Sequence, residues 1–512
     1  MFDAAMLRSL RWAATHYVAP LSTVLTRCAP PNLPRREPRS HDGVVADVDG
    51  ILKSWGERQV AGGRTRPAYL LTGDPMPAIV SAITPIVRNG KNVIVTAPTV
   101  VEAHVVADTL RGVHGERVRL ATSDESAAVR TTSWSQIATG TGSIVVGTRE
   151  VAFWGINGLG LAVVIEEGRR GYKSPQTPTF HIRDVLSKRS TIERFSLLLT
   201  GPVPTAEALS GGPEIIEIPG RVWPLVEVVD RSQEATGSGA VGDRVRHAIT
   251  ALGDEATVFV LVPRRGGSFR CSRCRELRKC SQCDAMLERS GDCARCGRSY
   301  PRCLACGGAR FEALGGGVSR IVDDLARTFG SHVGPVGSDR RIAVGTERDL
   351  VGLPQVDLVV MIDPDAGILA PNYRADEDAL RLLARATLTA RPGRGRRALV
   401  QTSLADHRVF DALRSGNPMD FMTETLRRRE ESGFPPIGDL IALETDATDA
   451  GPTFMEAAGE VGMLGPAKEG DRERWLIQAR DLSAVRLRLR SAVQQVRDGG
   501  ARVRVDADPV EL

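Results

Sequence analysis

The chain has 512 residues, 42% of them hydrophobic, which predicts about three ordinary globular domains. Its formal net charge of +5 permits local nucleic-acid contact without announcing it. No apolar run of about 18 residues occurs, so no helical membrane span is expected.

Residues 1–45 open with MFDAAMLRSLRWAATHYVAPLSTVL, apolar but broken by Arg8, Arg11 and His16. This reads as an amphipathic helix and not as a signal peptide. A Pro/Arg-rich linker, APPNLPRREPRSHDG, follows. Over 46–215, short apolar runs alternate with helical stretches: AYLLTG (68–73), NVIVTAP (92–98), RVRLATS (117–123), SIVVGT (143–148), LAVVIEE (161–167) and FSLLLTG (195–201). Buried strands followed by helices predict an α/β lobe with a doubly wound parallel sheet. Its functional crevice would lie at the carboxyl ends of the strands. A second α/β segment, 216–420, carries ATVFVLVP (256–263), RIAVGT (341–346), DLVVMID (357–363) and ALVQTS (398–403). A cysteine-rich stretch, 268–312, interrupts it. The last segment, 421–512, opens with the basic run Arg427–Arg429 and GFPPIG. A strand–helix–strand pattern at 475–480, 482–496 and 502–509 then predicts a small α+β domain.

Eight of the nine cysteines fall within 271–306 as four C-x-x-C pairs: Cys271/Cys274, Cys280/Cys283, Cys293/Cys296 and Cys303/Cys306. A C-x-x-C turn aims two thiolates at one point, and two such turns complete a tetrahedral zinc site. Four pairs therefore predict two Zn²⁺ ions. A disulfide cluster does not suit a long chain without a secretion signal, and redox chemistry would use one pair. Iron–sulfur ligation stays open. Five residues separate the first two pairs and nine the second and third. That favours a nested pairing, first with fourth and second with third, but spacing alone leaves an interleaved one open. Residues 270–310 carry ten Arg/Lys and four Asp/Glu. Two Zn(Cys)₄ centres of about −2 each would leave a modest basic surface.

The order of motifs resembles one family, the bacterial replication-restart helicases of the PriA type (primosomal protein N′). The resemblance rests on the eight-cysteine spacing and on Gly147-Thr148-Arg149 with Phe153. It rests also on Glu166-Glu167 with Tyr172-Lys173, on Phe180-His181-Ile182-Arg183-Asp184, on Val344-Gly345-Thr346, and on the GFPP and VDADP segments. It implies two RecA-like lobes, a two-zinc module inserted in the second lobe, and a C-terminal domain. It also implies the pairing: Cys271, Cys274, Cys303 and Cys306 on one zinc, Cys280, Cys283, Cys293 and Cys296 on the other. Tyr172, Lys173, Phe180 and Arg183 fall in or beside the family's aromatic-rich loop, which implies contact with single-stranded DNA.

The motor residues depart from the family. Where T-G-S-G-K-T should stand, the chain reads Thr72-Gly73-Asp74-Pro75-Met76-Pro77. Met76 supplies no charge to phosphate, Pro75 and Pro77 remove two N–H donors, and Asp74 adds a negative charge. Asp74 as N-cap and Pro75 as first helical residue would suit a plain strand–turn–helix. The family's D-E-E-H is Ile165-Glu166-Glu167-Gly168, so the magnesium aspartate is Ile165. G-S-A-T-P is replaced by Thr200-Gly201-Pro202-Val203-Pro204, and Q-x-x-G-R-A-G-R aligns with Ala384–Arg391, of which Arg391 alone matches. The opening helix resembles the segment that follows the family's 3′-end-binding domain. The chain is therefore expected to lack that domain or to begin at a late start codon.

The reading is a cytoplasmic DNA-binding protein of replication restart. It would recognise branched, fork-like DNA and recruit primosome and replisome proteins and single-strand-binding protein, with two zinc ions, without a membrane and without ATP. The alternatives are an active 3′–5′ helicase and a zinc-ribbon protein–protein adaptor. Cys28 is expected to be a buried small side chain, and Arg427–Arg429 a solvated helix face.

Overall fold

The computed structural model describes every residue except 1–2, 31, 33–46, 63–65, 219–222, 232–238, 263–268, 283–286, 289, 294–297, 314–316, 392–396, 470–471 and 512. Most of the Pro/Arg-rich linker, and Cys283 and Cys296, thus lie outside the described residues. The chain divides into two compact units, Met1–Pro219 with Glu424–Val510, and Gly220–Thr423.

The first unit is built on seven strands: β1 (Ala68–Leu71), β2 (Asn92–Thr96), β3 (Val118–Ala121), β4 (Ile144–Gly147), β5 (Leu159–Val164), β6 (Ser196–Gly201) and β7 (Glu214–Glu217). They form a parallel sheet in the order β3-β4-β2-β5-β6-β1-β7. β1, β2, β4 and β6 are buried at every position because helices cover both faces. Alternate residues feed two separate cores. Ile94, Val145, Ala162 and Leu197 face one, and Val93, Val95, Ile144, Val163 and Leu198 the other. Burying each Val, Ile or Leu among them stabilises the fold by about 1.5–3 kcal/mol.

The opening helix, Ala4–His16, belongs to this unit. Asp3 caps it by accepting from the Met6 N–H at 2.7 Å, and Met6, Leu10, Ala13 and Ala14 enter the first core. The second unit carries β8 (Leu225–Asp230), β9 (Val258–Leu261), β10 (Phe269–Cys271), β11 (Phe311–Ala313), β12 (Val333–Pro335), β13 (Ile342–Gly345), β14 (Leu358–Ile362) and β15 (Arg397–Thr402). Six of these make a parallel sheet, β12-β13-β9-β14-β15-β8. β10 and β11 pair antiparallel at the base of the cysteine stretch. In the first unit β16 (Asp439–Thr445), β17 (Met463–Glu469), β18 (Arg472–Ala479) and β19 (Val503–Ala507) form an antiparallel sheet, β17-β18-β16-β19. The helix Ser483–Asp498 places Val485, Leu489 and Val493 in that sheet's core.

The fold class expected from the sequence is the one observed: mixed α/β with large parallel sheets and a cysteine-rich insertion. Among the described residues no helix is long and apolar enough to cross a membrane. Cys28 is fully buried and its thiol approaches the Val24 carbonyl at 3.4 Å. The basic run 427–429 departs from expectation. Arg427 and Arg428 lie on the surface against Glu424, whereas Arg429 is buried on Glu207 (2.8 Å) and the Pro435 carbonyl (2.7 Å).

Candidate metal centre and the altered phosphate loop

The cysteine stretch folds by its own backbone turns. The Cys271 N–H donates to the Glu276 carbonyl and the Cys303 N–H to the Gly308 carbonyl, each at 2.8 Å. In both turns the residue after the second cysteine is left-handed, Arg275 at φ 62° and Gly307 at φ 69°. Arg275 holds this conformation at a steric cost of about 1–2 kcal/mol that glycine avoids. The turns bring the first and fourth pairs together. The thiols of Cys271, Cys274, Cys303 and Cys306 all lie within 4.8 Å of one another, with Cys271–Cys306 and Cys274–Cys303 at 3.5 Å.

This donor set could hold a metal ion, and its surroundings fit one. The Arg273 N–H points at the Cys271 sulfur (3.4 Å), a contact that favours thiolate. Gly308 backs onto the sulfurs so closely that a Cβ there would stand 3.2 Å from Cys271 Sγ and 3.4 Å from Cys306 Sγ. Burial pushes the Cys271 thiol up, but N–H groups and neighbouring sulfurs outweigh it and bring it to about 7. Of the other four ligands expected, Cys280 and Cys293 are described. Both are buried and pack with Leu287 and Tyr300. They repeat the same local signs: the Gln282 N–H points at Cys280 Sγ (3.4 Å) and the Cys293 N–H donates to the Arg298 carbonyl (2.8 Å).

The phosphate-loop position retains its strand–turn–helix, β1 into the helix Met76–Arg88, but four of its positions offer no free N–H. Pro75 and Pro77 have none. The Asp74 N–H is held by the Thr72 hydroxyl (3.2 Å), and the Met76 N–H by the Asp74 carboxylate (3.3 Å). Pro75 is the N-cap and Pro77 lies in the first turn, one residue later than the sequence suggested. Asp74 still closes the helix start, through its side chain. At the end of β5, Ile165 is buried. Glu166, at φ 49°, is gripped by Arg169 at 2.5 Å, which also donates to Glu102 at 3.1 Å. The surviving glutamate is thus bound into an internal triad. Glu167 is fully buried and accepts from the Thr205 N–H (2.8 Å), the Thr205 hydroxyl (3.0 Å) and Arg183 (3.0 Å). Arg391 contacts Asp357 at 3.4 Å and the Gln355 carbonyl at 3.0 Å.

The four residues expected to touch DNA face inward. Tyr172 is buried, and its hydroxyl bonds the Thr96 and Ile165 carbonyls at 2.8 and 2.6 Å. Phe180 is buried edge-to-face against Phe153 and Tyr17. The Lys173 ammonium donates to the Ala507 carbonyl (2.6 Å) and pairs with Asp506 (2.9 Å). Arg183 lies between Glu167 and Asp184. Stacking and phosphate contact need exposed rings and cations, whereas these side chains are buried and brace the loop from within. The VDADP segment belongs to the same brace. Burial alone would raise the Asp508 carboxyl, but the His16 hydrogen bond and the charges of Arg486 and Lys173 hold it well below the usual carboxylate range.

Parallel sheets in both units, a strand–turn–helix after β1 and four convergent thiols in the second unit define an α/β chain with a candidate metal centre. It is similar in sequence to several replication restart proteins. The replication restart protein PriA of Synechocystis is 25% identical over 497 residues, covering 83% of this chain and 59% of that protein. PriA of Treponema pallidum is 26% identical over 591 residues (100% and 88%), and that of Bacillus subtilis 24% over 402 (69% and 50%). The chain is thus related in sequence to the PriA replication restart proteins, though it spans only half to three-fifths of the Bacillus and Synechocystis proteins. No family model matches it. Among solved structures, RecG bound to a three-way DNA junction aligns at 12% identity and TM-score 0.41 over 73% of this chain and 46% of that one.

Proposed function

We propose that the chain is a DNA-binding primosome protein that acts in restart of stalled replication forks without unwinding DNA. In this reading it recognises branched DNA and recruits replisome proteins and single-strand-binding protein in the cytoplasm. Residues 46–215 and 216–420 serve as two RecA-like lobes, and 268–312 as a module holding two zinc ions, Cys271, Cys274, Cys303 and Cys306 on one and Cys280, Cys283, Cys293 and Cys296 on the other. Thiolate-only donor sets suit zinc, which would order the knuckles and supply no redox step. The observation that carries the reading is the contrast between two sites. Four thiols converge at the cysteine stretch, while the phosphate turn has lost two N–H donors to Pro75 and Pro77 and engages those of Asp74 and Met76 on Thr72 and Asp74. A site that cannot cradle phosphate cannot bring ATP to a catalytic glutamate. DNA contact falls instead to the basic rim of the module, where phosphate neutralisation gives salt-dependent binding.

The test is a titration of labelled fork and linear duplex DNA, with and without zinc. Tighter binding to the fork, lost on chelation and indifferent to ATP, is the expected result. Equal affinity for fork and duplex would sink the proposal.

A further inference from the structure

Arg278 is buried between the outer half of the cysteine stretch, which carries Cys271, Cys274, Cys303 and Cys306, and the inner half, which carries Cys280 and Cys293, and it has no ligand role of its own. Its backbone ties it to the outer half, donating from N–H to the Phe269 carbonyl of β10 at 2.8 Å, and its guanidinium lies 3.8 Å from the centre of the Phe311 ring of β11. The tip of the same side chain reaches the inner half, donating to the Glu288 carbonyl (3.3 Å) and the Tyr300 carbonyl (2.9 Å). Glu288 and Tyr300 flank Cys293, and the Tyr300 ring packs on Cys280 and Cys293. Gly291 makes room for the contact: at φ 101°, a Cβ there would stand 2.4 Å from Arg278 Nη2 and 2.6 Å from the Tyr300 carbonyl oxygen. The stretch has few apolar side chains, and a planar cation fixed by a ring on one side and two carbonyls on the other does what a core would do elsewhere.

We infer that Arg278 is the positioning residue of the inner metal centre, holding the Cys280 and Cys293 knuckles to the outer centre. The inference rests on the two-metal reading above. It makes the inner centre depend on Arg278 and the outer one not, since the guanidinium donates to the Glu288 and Tyr300 carbonyls beside Cys280 and Cys293.

The test is release of zinc from the full-length protein to a colorimetric chelator. The wild-type chain should yield two zinc ions in two phases, and a Cys280→Ser variant should lack the inner phase. Arg278→Met keeps the bulk and loses the donors; it should speed the inner phase about tenfold and leave the outer phase unchanged. Gly291→Ala, which changes no ligand, should do the same. Arg278→Lys should fail to rescue, because a single ammonium cannot hold ring and both carbonyls in one plane. Equal acceleration of both phases, or of neither, would overturn the role given to Arg278. A wild-type chain yielding a single zinc would instead overturn the two-metal reading on which it stands.

Discussion

Gly308 and Asp365 illustrate how much one side chain decides. The space beside the Cys271 and Cys306 sulfurs is filled by the absence of a Cβ at position 308. Gly308→Ala must push sulfurs aside by tenths of an ångström, and zinc retention by the outer centre should fall about tenfold, read as faster release to a chelator with the melting temperature of the metal-free chain unchanged. Asp365 lies in the second unit, buried beside Asp363, accepting from the Ser403 N–H (2.9 Å) and the Thr402 hydroxyl. Burial first, and the Asp363 charge second, push its carboxyl up to about 6. The folded chain then holds a proton that the unfolded chain has lost. Stability should therefore fall as pH rises from about 4 to about 6 and level off above, a swing of about 3 kcal/mol. Denaturant unfolding of Asp365→Asn against the wild-type chain at the two ends of that window checks it. Equal pH slopes would refute the assignment.

At the level of the element, one substitution at the turn after β1 does not make it a phosphate cradle. Met76→Lys restores a charge but not the donors missing at Pro75 and Pro77, nor the Met76 N–H held by Asp74. It should bind a fluorescent ATP analogue no better than the parent; micromolar binding would contradict this. The elements around the old site are braced, not idle. Glu167 joins the end of β5 to Arg183 in the helix Ile182–Glu193 and to Thr205, which caps the helix Ala206–Ser210. Glu167→Gln leaves a buried guanidinium short of its counter-charge and should cost about 3 kcal/mol, seen as a lower denaturation midpoint of the first unit.

Legibility followed the same physics. Strands buried on both faces, such as NVIVT in β2 and LVVMI in β14, announce themselves as unbroken β-branched and aliphatic runs. β12 (VGP) and β17 (MLGPAKE) do not, because glycine and proline mask the period. The convergence of Cys271, Cys274, Cys303 and Cys306 is readable because each C-x-x-C turn aims two thiols at one point. Arg278 was not, since it works through backbone carbonyls that have no residue signature. The burial of Tyr172 and Phe180 is not legible, because an aromatic ring looks the same in sequence whether it is exposed or, like Phe180, packs against Phe153.

For the chain as a whole, contact and not turnover is expected under the proposed function, because the Met76 N–H is engaged by Asp74 and the Glu166 carboxylate by Arg169. The most direct measurement is phosphate release from ATP by the purified, zinc-loaded protein with saturating fork DNA. Release no higher than the protein-free control is predicted. Fork-stimulated release that disappears in Glu166→Ala would contradict it.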